Sequence, residues 1–121
     1  MDIYTIAIPQ WRKAKARDIE LFDITVKSGF QLFAPEASVL WAYKRGEVSD
    51  DLYTELYLNR IREHLRQSPE VFEDFLKKPG PIALGCYCSA GKFCHRHLFL
   101  EFIRTIAEDN GYCLKYCGEI L

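Results

Sequence analysis

Three of the chain's five cysteines and two of its three histidines fall in one run, Cys86-Tyr87-Cys88-Ser89-Ala90-Gly91-Lys92-Phe93-Cys94-His95-Arg96-His97. Thiols and imidazoles supply nucleophiles and proton carriers, and the Lys92 and Arg96 cations beside them suit an anion. The run leaves a short apolar stretch and enters one with helical spacing. That is the form of a strand-to-helix loop, where helix-terminal amides face a ligand crevice. Cys94, placed in the first turn of the helix, gains thiolate character from free amides and the helix dipole. Cys88 opens Cys88-Ser89-Ala90-Gly91-Lys92, which can curl an amide nest around its sulfur as a sulfurtransferase loop does. Cys94, Cys88 and His95 are thus candidate catalytic residues, with His95 orienting or exchanging a proton. Arg96, Lys92, Gly91 and Ser89 are candidate ligand contacts, Arg96 gripping phosphate or carboxylate in a fork. The bland alternatives are a Cys94 packed as a small apolar residue and a His95 turned inward on the stripe that leads to Phe102, with Arg96 and His97 off that stripe.

Spacing removes other chemistries. A phosphate-binding loop of the Gly-x4-Gly-Lys-Ser/Thr type is excluded because five residues separate Gly85 from Gly91 and Phe93 stands where the hydroxyl is needed. A cysteine phosphatase needs Arg six positions after its nucleophile, but Cys94 and Lys92 occupy those positions after Cys88 and Cys86. A zinc site can be drawn from Cys86, Cys88, Cys94 and His95 or His97. Its spacing lacks the knuckle pattern of structural zinc domains, so no metal and no cofactor is assigned.

The chain has 121 residues, 49% of them hydrophobic, enough for one domain with a single core and no disulfide framework. Sixteen basic residues against 17 acidic ones argue against broad electrostatic capture of nucleic acid or membrane. One local excess exists, Arg12, Lys13, Lys15 and Arg17 within Trp11–Arg17, a solvated loop or a nucleic-acid-facing arm. No apolar run approaches the roughly 20 residues of a membrane span. The N-terminus lacks the basic lead and length of a signal segment, which predicts a cytoplasmic protein with five free thiols.

Strands are expected at Ile3–Ile8, Ile19–Val26, Ile82–Cys88 and Tyr112–Tyr116. Helices are expected over Pro35–Arg45, from Ser49 to Ser68 with an apolar stripe of Leu52, Leu56, Ile61 and Leu65, from Pro69 through Leu76, and over Lys92–Glu108. Strand, helices, strand, helix, strand predicts an α/β fold, a small, mainly parallel sheet of about four strands flanked by helices. Cys113 and Cys117 share a face of the last strand and are expected to be core thiols, able to join Cys86 and Cys88 if those strands are neighbours.

Phe33-Ala34-Pro35, then Tyr53 and Tyr57, the strand ending at Cys86, and Gly91-Lys92-Phe93-Cys94-His95-Arg96-His97-Leu98 resemble the pattern of the bacterial and phage domain of unknown function 488 family. The Cys94-His95-Arg96 triplet is its most specific part. The resemblance implies a small α/β fold with a cavity around these residues and no particular activity, and makes Tyr53 and Tyr57 candidate lining of that cavity. Members often carry an acid where this chain has Cys88, so the resemblance does not make Cys88 a shared nucleophile. Two functional readings stand. One is an enzyme pocket for a phosphate-bearing small molecule or nucleotide at the Cys86–His97 loop. The other is a non-catalytic module for nucleic acid or protein using Arg12, Lys13, Lys15 and Arg17, or a zinc-stabilised domain.

Overall fold

The first strand, β1 (Asp2–Ala7), alternates sides as its sequence does: Ile3 joins one core and Ile6 another. A computed structural model describes residues 1–121. After a 3₁₀ turn come α1 (Trp11–Ala16), β2 (Glu20–Asp23), α2 (Ala37–Lys44), α3 (Asp50–Gln67), α4 (Pro69–Leu76), β3 (Ile82–Cys86), α5 (His95–Asp109) and β4 (Lys115–Ile120). The four strands form one parallel sheet in the order β2-β3-β1-β4, the α/β architecture expected from the sequence. No helix is long and apolar enough to cross a membrane.

The larger core lies on the sheet face of Ile3, Ile82 and Leu84, where Phe33, Tyr57, Ile61, Phe72, Phe75, Phe99 and Ile103 pack from the loops and helices. Phe33 sits at its centre, with the Phe99 ring at 4.4 Å and the Phe72 ring at 5.0 Å. The opposite face is thinner: Ile6, Ala83 and Ile120 meet Ala14 of α1 and Ile19. Gly85 permits this closeness, because a Cβ there would lie 2.8 Å from Leu21 Cδ1 and 3.0 Å from Ile8 Cγ1.

Several local expectations shift. Trp11–Arg17 is largely a one-and-a-half-turn helix rather than a loop, anchored by the buried Ala14. The last strand begins at Lys115 and runs to Ile120, so Cys113 precedes it and is exposed. Because β4 pairs with β1 alone, Cys113 and Cys117 are not neighbours of Cys86 and Cys88 through adjacent strands. Ser49 does cap α3, accepting from the Leu52 amide at 3.1 Å. The buried stripe of that helix is Tyr53, Tyr57 and Ile61, and Leu52 and Leu56 face outward.

The chain leaves β1 toward β2 past β3, and leaves β3 toward β4 past β1. The two central strands therefore hand their connections off in opposite directions. That is a topological switch point, where a crevice opens beyond the strands' carboxyl ends. Ala7 pairs with Cys86 there, and Asp23 with Gly85, so three strand ends are level.

Candidate functional site: a sulfur cluster under a cationic cleft

Cys86 ends β3 on the side of Ile82 and Leu84, which α5 covers. Cys94 is the N-cap of α5, its extended backbone (φ −157°, ψ 148°) turning the loop into the helix. The two sulfurs are in contact, with Cα atoms 7.7 Å apart. The Cys88 sulfur completes a trio whose members all lie within 4.8 Å of one another. Five free thiols were expected, but only Cys88, Cys113 and Cys117 are free, because the end of β3 and the cap of α5 bring the Cys86 and Cys94 sulfurs to bonding distance.

His95 begins α5 and is buried, as the inward alternative held. Its Nε2 lies 2.7 Å from the Ile24 carbonyl. A carbonyl only accepts, so Nε2 carries the hydrogen and Nδ1 is left with its lone pair, 3.7 Å from Cys94 Sγ. Burial, reinforced by the Arg96 charge, lowers the His95 pKa to about 4, so the ring is neutral near pH 7. The loop after β2 fixes the carbonyl it needs. Ile24 donates to the Gly85 carbonyl, and the Asp23 carboxylate accepts from the Thr25 amide at 2.8 Å and from Ser28 Oγ at 2.6 Å. Gly29 closes this loop because a Cβ there would lie 2.3 Å from the Thr25 nitrogen.

Arg96 was expected off the buried stripe as an anion contact. It is instead wholly buried, on the stripe of Leu100, Ile103 and Ala107. Its Nη1 donates to Cys86 Sγ at 2.8 Å and to the Cys88 carbonyl at 3.0 Å. Nη2 donates to the Ser89 carbonyl at 3.3 Å and to Glu119 Oε2 at 2.9 Å, and Nε reaches Glu119 Oε1 at 3.4 Å. All five donors of the guanidinium have partners within the chain. Arg96 thus ties the Cys88–Ser89 backbone to β3 and β4. Glu119 was absent from the sequence-derived site, and so was Cys86 as the sulfur nearest a cation.

Above the sulfurs lies a cleft in two lobes. The larger, about 520 Å³, is lined by Leu40, Tyr43, Lys44, Tyr53, Cys88, Ser89, Lys92, Phe93, Cys94 and His95. The smaller, about 350 Å³, shares Leu40, Lys44, Cys88 and His95 and adds Lys27, Trp41 and Cys86 among others. The only charged side chains in either lining are lysines. Tyr43, Tyr53 and Phe93 interlock as an aromatic wall, their ring centroids 4.8 to 5.8 Å apart. The Tyr43 pKa is pushed up to about 12, chiefly by the hydrogen bond its hydroxyl donates to Asp50. Burial raises Tyr53 well above the usual phenol range. Both hydroxyls stay protonated at neutral pH.

The sequence-derived residues divide accordingly. Cys88, Ser89, Lys92, Cys94, His95 and Tyr53 share one lobe. Gly91 is exposed at φ +81°, shaping the turn rather than lining the cleft. Tyr57 is buried behind His95, rings 5.7 Å apart, and donates to the Phe33 carbonyl at 2.7 Å. Arg60 and His64 likewise bond the Ala34 and Leu32 carbonyls, so α3 holds the Phe33-Ala34-Pro35 turn in place. Arg12, Lys13, Lys15 and Arg17 all belong to α1 and its C-cap. That helix packs on the sheet face opposite α5. Arg12 and Lys15 lie over the exposed Trp11 ring, Arg17 over Tyr4, and Lys13 bonds Leu121.

No curated protein and no solved structure gives a match to the chain. A family model described as the "Active DUF488-N3 subclade" matches residues 6–107, which include β3, the sulfur loop and nearly all of α5. The chain belongs to the domain of unknown function 488 family, in which the Cys94-His95-Arg96 triplet already placed it by resemblance.

Proposed function

We propose that the cleft binds a nucleotide-sized, phosphate-bearing small molecule and holds it against the sulfurs of Cys88 and Cys94. The observation that carries this reading is the lining: Lys44 and Lys92 in the larger lobe, Lys27 added by the smaller, and no carboxylate in either. An uncompensated positive cleft with low-dielectric walls concentrates anions. A volume of about 520 Å³ suits a mononucleotide, and the Tyr43 and Phe93 rings offer a base an aromatic face. The word "active" in the subclade's description favours an enzyme over a passive binder.

If a reaction occurs, its nucleophile is a thiolate at the floor. Cys94 faces the larger lobe, and once its pairing with Cys86 is reduced, His95 Nδ1 accepts its S–H and aims the sulfur. With its pKa near 4, His95 is a weak base at rest, so its role is orientation more than proton storage. Arg96 serves from beneath, holding Cys86 and the Ser89 backbone.

Titration of the full chain with inorganic phosphate and with a nucleoside monophosphate, followed by amide chemical shifts, tests the binding. Saturable shifts at Ser89, Lys92 and Phe93 are expected, with affinity falling about tenfold or more in Lys44→Ala/Lys92→Ala, roughly the loss of one charge-assisted contact. Unchanged affinity in that double variant, or no shift at millimolar ligand, removes the reading. A second reading draws on the exposed Trp11 ring flanked by Arg12 and Lys15, a platform for single-stranded nucleic acid. It replaces the first if only oligonucleotides bind and Arg12→Ala/Lys15→Ala abolishes that binding.

A further inference from the structure

Cys86 and Cys94 bring their sulfurs together from Cα atoms 7.7 Å apart. Ordinary disulfides span about 4.4–6.8 Å between Cα atoms, so the backbone brings these sulfurs to bonding distance from a frame wider than a disulfide usually has. The third sulfur, Cys88, converges on the same point. A central atom accounts for both facts. Around a tetrahedral zinc ion, with bonds of about 2.3 Å to sulfur and 2.0–2.1 Å to nitrogen, two thiolates stand about 3.8 Å apart and a thiolate and an imidazole nitrogen about 3.6 Å apart. The three sulfurs lie within 4.8 Å of one another and His95 Nδ1 is 3.7 Å from Cys94 Sγ, while Cys86 and Cys94 are at bonding distance, so an ion enters only once that pair is reduced and its sulfurs part.

We infer that Cys86, Cys88 and Cys94, in their reduced form, bind a soft divalent metal ion, zinc in kind, at the floor of the cleft, and that His95 Nδ1, which stands beside Cys94 alone, moves in as the fourth ligand.

The surroundings fit that use. A ligating imidazole normally donates its other ring N–H to a carbonyl or carboxylate, which fixes the tautomer and aims the lone pair. The Ile24 carbonyl, itself fixed by the Asp23 loop, does this for His95. Arg96 donates to Cys86 Sγ, as outer partners of metal thiolates do, and brings positive charge to a set whose three thiolates exceed the charge of a dication. Three thiolates select against magnesium and calcium, which take oxygen ligands, and three is one short of the four cysteines of common iron–sulfur clusters. Knuckle spacing is not required, because strand end, loop and helix cap supply the ligands separately. Lys44 and Lys92 are not ligands, so the metal and the anion readings fail independently. Metal occupancy confines any thiol chemistry to the metal-free chain.

The test uses the full chain, purified in reductant, stripped with chelator, and titrated with zinc against a chromophoric competitor and with cobalt(II) for its spectrum. One equivalent of either ion per chain is expected, and cobalt should show sulfur-to-metal charge-transfer absorption. Cys88 sits on a half-buried loop, so Cys88→Ser should keep its melting profile while losing about tenfold or more in zinc affinity. Cys117→Ser should bind zinc as the parent does, and Lys44→Ala/Lys92→Ala should also keep zinc while losing phosphate. Three results overturn the site: zinc uptake equal in parent and Cys88→Ser, cobalt uptake without charge-transfer absorption, or a Cys86–Cys94 bridge that persists in reductant.

Discussion

Cys86, Cys88 and Cys94 stand where β3, a central strand, empties into the crevice beneath α5, whereas Cys113 and Cys117 belong to the approach and body of β4, an edge strand. The pairs Cys86/Cys88 and Cys113/Cys117 look alike in sequence, each a short spacing within an apolar segment. Their surroundings are unlike. β3 is hydrogen-bonded on both sides and buried along its whole length, so its end is rigid and a helix start can be aimed at it. β4 pairs only with β1, through an irregular register between Ile3 and Thr5, and the start of α5 reaches it through the Arg96–Glu119 ion pair rather than through a cysteine. The Cys117 sulfur bonds only a carbonyl two residues away on its own strand, Lys115, at 3.6 Å. Position in the sheet, rather than cysteine spacing, decides which thiols can act together.

The sharpest way to break that contrast is to remove what fastens one region and leave the other intact. Arg96→Ala deletes every tie among Cys86, the Cys88–Ser89 backbone and Glu119 at once. Breaking a buried ion pair from one side typically costs about 3–5 kcal/mol, because the remaining charge is left unpaired. Glu119 is partly wetted, with its side chain 15% exposed, so the lower end of that range is expected in urea unfolding. A cost under about 1 kcal/mol would mean that the guanidinium does not organise the sulfur end of β3.

A smaller effect separates the regions by pH. His95 is neutral when folded, with a pKa of about 4 against 6.5 in an unfolded chain. A depressed histidine pKa means that the unfolded chain binds the proton first as pH falls. Stability is therefore undiminished above about pH 6.5 and declines as pH drops from 6.5 toward 4, by up to about 3 kcal/mol at roughly 1.4 kcal/mol per unit. Chelator-treated protein melted across this range should show the decline, and His95→Asn should flatten it. An equal slope in His95→Asn would assign the acid sensitivity elsewhere.

These expectations also explain what could and could not be seen before the fold was known. The strand at Ile82–Cys86, the Ser49 cap and the inward His95 follow from local pattern, since burial on two faces, an orphan amide and a 3.6-residue period each leave a mark nearby. Arg96 left no such mark. A guanidinium beside two histidines looks solvated until Glu119, 23 residues on, and two carbonyls of the preceding loop supply its partners. Glu119 itself was hidden because the last strand was expected to end at Tyr116, whereas it runs to Ile120. A lone acid amid the apolar end of that strand was the one available signal. On α3, Leu52/Leu56 and Tyr53/Tyr57 are both four-residue pairs, and the Phe33 carbonyl, reached by the Tyr57 hydroxyl, favours the second. Residues 11–16 are too few for periodicity to show, and only Ala14 is buried against the sheet.

The smallest expected effect is also the control for the comparison. Cys113 is exposed, and Cys117 lies half-buried on an edge strand with its sulfur bonded only to its own strand. Cys113→Ser and Cys117→Ser should each change unfolding free energy by no more than about 0.5 kcal/mol, the usual bound for substitutions away from core and networks. Cys86→Ser, 1% exposed beneath Arg96, should cost clearly more. In reduced, metal-free protein, Cys113 should also react first with a bulky alkylating reagent on access alone, and Cys86 last. If instead Cys117→Ser destabilises as much as Cys86→Ser, β4 carries a thiol site of its own. The division of the five cysteines into a converging set and a scattered one would then have to be redrawn around the sheet edge.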